Sequence, residues 1–172
     1  RFERHGRQYR QRLRGRLCRD AHQPALGNPR ARAGARLAAE RYLARNIRVE
    51  ECESDGDVAI VRFVRDLPAD VPGILSKFLQ PWNTVEQSEQ WRRLGGGEYE
   101  ADLTIDVANV PVSVSGTLDL EPVGSGCINH VRVTVDCGIP FVGKTLAEYV
   151  AKDCERIIAE EYEYICDRLE QA

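Results

Sequence analysis

The sequence predicts an α+β domain, a curved antiparallel sheet gripping one long C-terminal helix. Three patterns predict it. Successive segments between Tyr99 and Cys137 alternate apolar and polar residues with period two, the signature of a sheet with one dry and one wet face. Only short breaks rich in Gly or Asn separate those segments, so consecutive strands pair as a meander. From Pro140 the apolar period switches to that of a helix and holds almost to the end of the chain.

The elements follow in order. Asp57 to Arg65 (DVAIVRFVR) reads as a buried strand, and Leu67 to Pro72 as a Pro-broken connection. Pro72 to Leu79 is expected to form a short helix with Pro at its first position. Asn83 to Arg93 is a strand interrupted by polar residues, and Gly95-Gly96-Gly97 is a turn. In the next strand Tyr99, Ala101, Leu103, Ile105 and Val107 share one face. In the one after it Val110, Val112, Val114, Gly116, Leu118 and Leu120 do, and in the third Cys127, Asn129, Val131, Val133, Val135 and Cys137 do. Val142, Leu146, Val150, Cys154, Ile157, Ile158, Ile165 and Leu169 then recur at helical spacing. A helix from Val142 to Glu170 would be about 43 Å long, and it must lie along a broad sheet to bury its stripe.

Composition narrows the class. The 172 residues suffice for one domain, and 42% hydrophobic with 30% charged residues is a soluble composition. No apolar run is long enough to span a bilayer, and no secretory signal is recognisable, so a cytoplasmic protein with reduced cysteines is expected. None of the six cysteines forms a Cys-x-x-Cys pair, and His5, His22 and His130 form no His-x-x-x-His. No metal site and no cofactor are therefore expected. The chain opens on Arg1 and contains no Met, so its natural start is expected upstream.

Residues 1–48 stand apart. They hold 14 Arg and no Lys against three acidic residues, a balance of +11, whereas residues 49–172 hold 10 Lys and Arg against 24 Asp and Glu, a balance of −14. Ile47 is the one β-branched residue in the first segment. Several readings of it stay open: a basic arm for phosphate backbones, an amphipathic basic helix for a membrane surface, GC-rich coding sequence read out of frame, and a disordered tail. The domain division is thus 1–48, an atypical Arg-rich segment (frame-shifted or disordered), and 49–172, the folded domain. Nucleic-acid binding is expected only if residues 1–48 are genuine, because the acidic remainder repels phosphates.

Four stretches carry a family resemblance: Arg65 to Pro72 (RDLPADVP), Ser76 to Leu79 (SKFL), Val110 to Leu118 (VPVSVSGTL) and Ile139 to Lys144 (IPFVGK). In that order they resemble the START-like, helix-grip superfamily, and more narrowly the actinobacterial family called domain of unknown function 2505. The resemblance covers about Val49 to Leu169. It implies a cavity between sheet and helix for a lipid or other hydrophobic small molecule, without catalysis. It also leaves two alternatives, a cyclase- or hydrolase-type enzyme in the same pocket and a protein-partner-binding module. It supplies no catalytic residues. Only Arg1-Phe2-Glu3 looks like the family's opening, and a genuine Arg-rich segment would leave the sheet short of an edge strand.

The residues expected to line the cavity are Leu103, Ile105, Val112, Val114, Val131, Val133, Leu146, Val150 and Ile157; a packed core would use the same residues. Glu161 falls within the helix's apolar stripe, where a carboxylate needs a partner or a polar ligand group. Asn129 and Gly116 interrupt the apolar faces of their strands: Asn129 is a ligand contact or a backbone-bonded residue, and Gly116 marks a bend. Trp82 and Trp91 flank one strand and are ligand-stacking or packing residues. Ser113 and Ser115 lie on the polar face, as does His130, so no Ser-His nucleophile is expected. Gly95-Gly96-Gly97 lacks the Lys-Ser/Thr of a phosphate loop. The oligomeric state is not legible.

Overall fold

The computed structural model describes residues 3–14, 44–69, 73, 75–124 and 126–170. Among the described residues seven strands, β1 (Glu3–Arg14), β2 (Arg45–Asp55), β3 (Val58–Pro68), β4 (Trp82–Gly95), β5 (Glu98–Val107), β6 (Val112–Val123) and β7 (Gly126–Cys137), precede one helix, α1 (Gly143–Glu170). They form one sheet in the order β1-β7-β6-β5-β4-β3-β2, antiparallel at every ladder. The meander from β2 to β7 is thus complete, and β1 joins it on the far side of β7.

The turns explain where the strands stop. Gly96 and Gly97 both have positive φ (61° and 88°), the backbone a tight two-residue hairpin requires and L side chains resist. Asn46, also at positive φ, sits in the register shift between Arg45 and Arg48 that kinks β2. Gly116 lies mid-strand for a different reason: a Cβ there would come within 2.3 Å of the Arg132 carbonyl oxygen and 3.1 Å of Val133 Cγ1. Its lack of a side chain lets β6 and β7 approach at that point.

Helix α1 returns antiparallel to β7 and is about 42 Å long. Leu146, Ala147 and Ala151 pack in one cluster with Leu103, Val112, Val114, Val131, Val133, Val135 and Cys137. Leu146 is 0% exposed, a burial that stabilises by about 2 kcal/mol. Farther along, Tyr162 and Cys166 pack against Tyr99, Leu120 and Cys127 at the other end of the strands. Exposed ion pairs from Arg156 to Asp153 (2.7 Å) and Glu160 (2.9 Å) add a few tenths of a kcal/mol each. The helix enters through a γ-turn: Val142 N–H donates to Pro140 O (2.8 Å) and Phe141, at φ 67°, projects fully into solvent.

Several expectations are corrected. The short helix expected over Pro72–Leu79 is a single turn in its described part, where Leu79 N–H donates to Leu75 O (3.1 Å); Pro72 lies outside the described residues. That turn still delivers Leu75 and Leu79 into the main core. The sheet does not lack an edge strand, because Glu3–Arg14 supplies β1 from within the Arg-rich segment. The boundary drawn at 48/49 falls inside β2. Residues 15–43, the rest of that segment, lie outside the described residues. Cys127 is disulfide-bonded, against the expectation of reduced cysteines, while Cys52, Cys137, Cys154 and Cys166 are free thiols.

Candidate ligand-binding site

Direct cross-strand partners share a face of the sheet. Register therefore gives the face turned toward α1 row by row. One row runs Phe63, Gln87, Ile105, Val114, Val135; the next runs Val61, Glu89, Leu103, Gly116, Val133; the third runs Ala59, Trp91, Ala101, Leu118, Val131. On β5, β6 and β7 this face is apolar and packs on the helix. It turns polar at Gln87 and Glu89 on β4 and at Arg65 on β3, where Phe63, Val61 and Ala59 remain apolar.

The polar part is a connected chain. Arg65 Nη2 donates to Gln87 Oε1 (2.9 Å), Gln87 Nε2 donates to Glu89 Oε1 (2.6 Å), and Trp91 Nε1 donates to Glu89 Oε2 (2.8 Å). Arg65 is 3% exposed and Gln87 8% exposed, so these groups have left water and depend on such bonds. The Arg65 guanidinium also stacks over Phe63, 4.6 Å from the ring centre. The chain links a cation to an anion through a neutral amide.

Of the expected lining residues, Leu103, Val112, Val114, Val131, Val133 and Leu146 are buried in the main cluster, with Ile105 and Val150 half-buried against it. Ile157 lies elsewhere, grouped with Ala44, Ile47, Leu67 and Tyr164. Glu161 is half-buried. Asn129 shares the helix-facing side with Val131, and its buried Oδ1 accepts no hydrogen bond from the described residues. Burial pushes the thiol of Cys154, on the helix's apolar stripe, up to about 11. Trp82 stacks under Arg45, 3.8 Å from ring centre to guanidinium carbon, and Trp91 belongs to the polar chain.

Sequence reasoning missed Arg65, Gln87 and Glu89. The available signal was parity: Gln87 and Glu89 alternate in step with Val85 and Trp91, so they share the face that carries them. The opposite face of the sheet is solvated and laced with charge pairs, Arg62 with Glu51 and Glu86, Arg92 with Glu100 and Asp102, and Arg132 with Asp119. His130 and Glu121 belong to this set. An open depression of about 390 Å³ at the β2 bulge is lined by Asn46, Ile47, Arg48, Val64, Asp66 and Thr84. Hydrogen bonds from Asn46 and Thr84 lower the pKa of Asp66, whose two oxygens they occupy. That carboxylate is already satisfied, so the helix-facing side is the stronger site.

Among the described residues, a seven-stranded antiparallel sheet closed over one C-terminal helix makes the START-like, helix-grip fold. The chain belongs to the family described as protein of unknown function (DUF2505), whose model matches residues 29–169. Uncharacterised proteins of Mycobacterium tuberculosis and Mycobacterium bovis are 22% identical to it over 112 residues, 64% of this chain and 64% of theirs. The match thus spans under two thirds of those relatives' length. Human STARD10 resembles the fold with TM-score 0.58 at 8% identity, over 97% of this chain and 65% of its own. A START superfamily protein from Mycobacterium smegmatis does so with TM-score 0.52 at 9% identity, over 98% and 97% of the two chains. The Zhui aromatase/cyclase from Streptomyces sp. R1128 gives 0.52 at 9% identity, over 99% and 95%. At these identities the likeness is one of fold.

Proposed function

We propose that this chain binds a lipid or other hydrophobic small molecule between the sheet and α1, and does so without covalent chemistry. The observation that carries this reading is the helix-facing side of the sheet, apolar over three strands and ending in a buried polar chain. Ligand sites combine a largely apolar wall with a few fixed polar groups in this way. Leu103, Ile105, Val114 and Val133 would form the wall beside the polar chain, with Leu146 and Val150 opposite. Fold likeness to START-named proteins supports binding; likeness to an aromatase/cyclase raises catalysis by analogy alone. Both oxygens of Glu89 already accept hydrogen bonds, which favours recognition over proton transfer.

Mass spectrometry of the protein from its native host tests the proposal. Under native conditions the mass is expected to exceed the denatured mass by that of one small molecule, and extraction should release an apolar compound. A bare mass under the gentlest conditions would remove the support and favour a partner-binding surface. Among the described residues no helix is long and apolar enough to cross a membrane, so delivery of such a ligand would rest on exchange from the site.

A further inference from the structure

We infer that the end of the molecule around Phe141 docks on an anionic membrane surface, with Phe141 seated among the lipid chains and Lys77 and Lys144 against the headgroups. None of these three residues belongs to the ligand site proposed above.

Register sets the ends of β3, β5 and β7 side by side, with Pro68 beside Trp82, Val85 beside Val107 and Val112 beside Cys137. The connections β3–β4, β5–β6 and β7–α1 therefore emerge together. They are also tied together. Gly138 N–H donates to Pro111 O (3.0 Å), and Phe78, Val110 and Ile139, one from each connection, pack against the main cluster. Beyond them Ala108, Pro111, Pro140 and Phe141 are exposed apolar residues. Phe141 is 104% exposed, so its ring gains no burial within the chain.

This ring is displayed at a cost to the fold. Phe141 is the centre of a γ-turn at positive φ, a strained conformation that Asn or Gly adopts more readily. The turn is not slack: Gly143 N–H donates to Ile139 O (2.9 Å) and Leu146 N–H to Val142 O (3.0 Å). A strained backbone that holds a large apolar ring in solvent points to a use outside the core. Lys144 repeats the pattern. It stands in the first turn of α1, where the helix dipole disfavours a cation, and that turn holds no acidic residue.

Charge then names the surface. Residues 75–81, 107–112 and 138–147 carry Lys77 and Lys144 and no Asp or Glu. Both lysines are exposed and form no ion pair, whereas Arg62, Arg92, Arg93, Arg132 and Arg156 all face carboxylates. Asp66, Asp106 and Asp136 lie behind the loops on β3, β5 and β7, Glu3 is at the start of β1, and Asp70 lies outside the described residues. Over residues 49–172, 10 Lys and Arg stand against 24 Asp and Glu. An anionic membrane thus repels most of this domain and accepts it loops first. An apolar wedge beside unpaired lysines is the chemistry of interfacial anchoring.

The test is co-sedimentation of the full chain with phosphatidylcholine vesicles, with and without about 30% phosphatidylglycerol. The unaltered chain is expected to bind the mixed vesicles at least about tenfold more tightly than phosphatidylcholine alone. Phe141→Asn should weaken that binding about tenfold. Its urea midpoint should stay unchanged or rise, because the ring is unburied and Asn relieves the turn. Lys77→Gln combined with Lys144→Gln should weaken binding to the mixed vesicles about tenfold and to phosphatidylcholine less than about twofold. No binding of the unaltered chain to either vesicle, or equal binding to both, overturns the inference and leaves the ring to a protein partner. If either variant binds the mixed vesicles as tightly as the unaltered chain, the inference is also overturned, and the Arg-rich segment carries the membrane contact. Each failure leaves the ligand reading standing, since the native mass tests that separately.

Discussion

Two halves of one sheet face behave differently under the same helix. Over β5, β6 and β7 the helix-facing rows are Val, Leu, Ile, one Ala and one Gly, and the helix answers with Leu146, Ala147 and Ala151. Over β3 and β4 the same face carries Arg65, Gln87, Glu89 and Trp91, bonded in a chain among the apolar Phe63, Val61 and Ala59. The first half stabilises by excluding water and filling space. The second gains little net stability from its hydrogen bonds, since each replaces bonds that the same groups make to water in the unfolded chain. The contrast teaches that the apolar half holds the fold, and that the polar half is where the proposed ligand would be recognised.

The largest effect is expected in the apolar half. Leu146→Ala should cost about 3 kcal/mol, read as a lowered urea midpoint with unchanged slope. Gly116→Ala comes next, at about 2 kcal/mol or more, because its methyl meets a backbone carbonyl that cannot move without parting β6 from β7. In the polar half Gln87→Leu alone should cost about 1–2 kcal/mol by removing its hydrogen bonds with Arg65 and Glu89. Replacing all four members together, Arg65→Met, Gln87→Leu, Glu89→Met and Trp91→Phe, should recover that loss or exceed it. The comparison breaks if the fourfold variant is less stable than the single one in thermal unfolding.

A smaller, pH-dependent effect separates the helix from both halves. The Cys154 thiol is raised by burial from 9.0 to about 11. Between those values the unfolded chain has released a proton that the folded chain still holds. Stability should therefore fall as pH rises from about 9 toward 11, and Cys154→Ala should flatten that fall in urea titrations at the two pH values. The smallest change is expected on the solvated face: Arg132→Ala breaks an exposed pair with Asp119 and should shift stability by less than about 0.5 kcal/mol.

Much of this fold was legible because its signals were periodic. The alternation from Tyr99 to Cys137 gave β5, β6 and β7 their faces, and the helical stripe gave α1 its extent. β1 was not legible. A strand of mostly Arg, Gln, His and Gly, with Tyr9 and Leu13 its large apolar residues, carries too little apolar alternation to be read, and its pairing with β7 marks it as a strand. The polar chain was hidden for a related reason. Polar residues in a half-buried strand read as the wet side, so Gln87 and Glu89 passed for interruptions of β4 until register set them beside Ile105 and Leu103. Asn129 stood out in the sequence because it interrupts an otherwise apolar strand face, and the structure makes it half-buried with a buried oxygen.

The order of the elements has a consequence for how the chain emerges during synthesis. β1 is made before the other described strands, yet its ladder among the described residues is with β7, more than a hundred residues later. α1 is made after every strand it covers. At about 5–20 residues per second, synthesis of the 28-residue helix takes roughly 1.4 to 6 seconds. Through that interval the nascent sheet presents Val114, Val131, Val133 and Val135 without their cover. The protein therefore passes through a sticky adolescence on the ribosome, and its yield in a cell depends on what shields that face until the helix arrives.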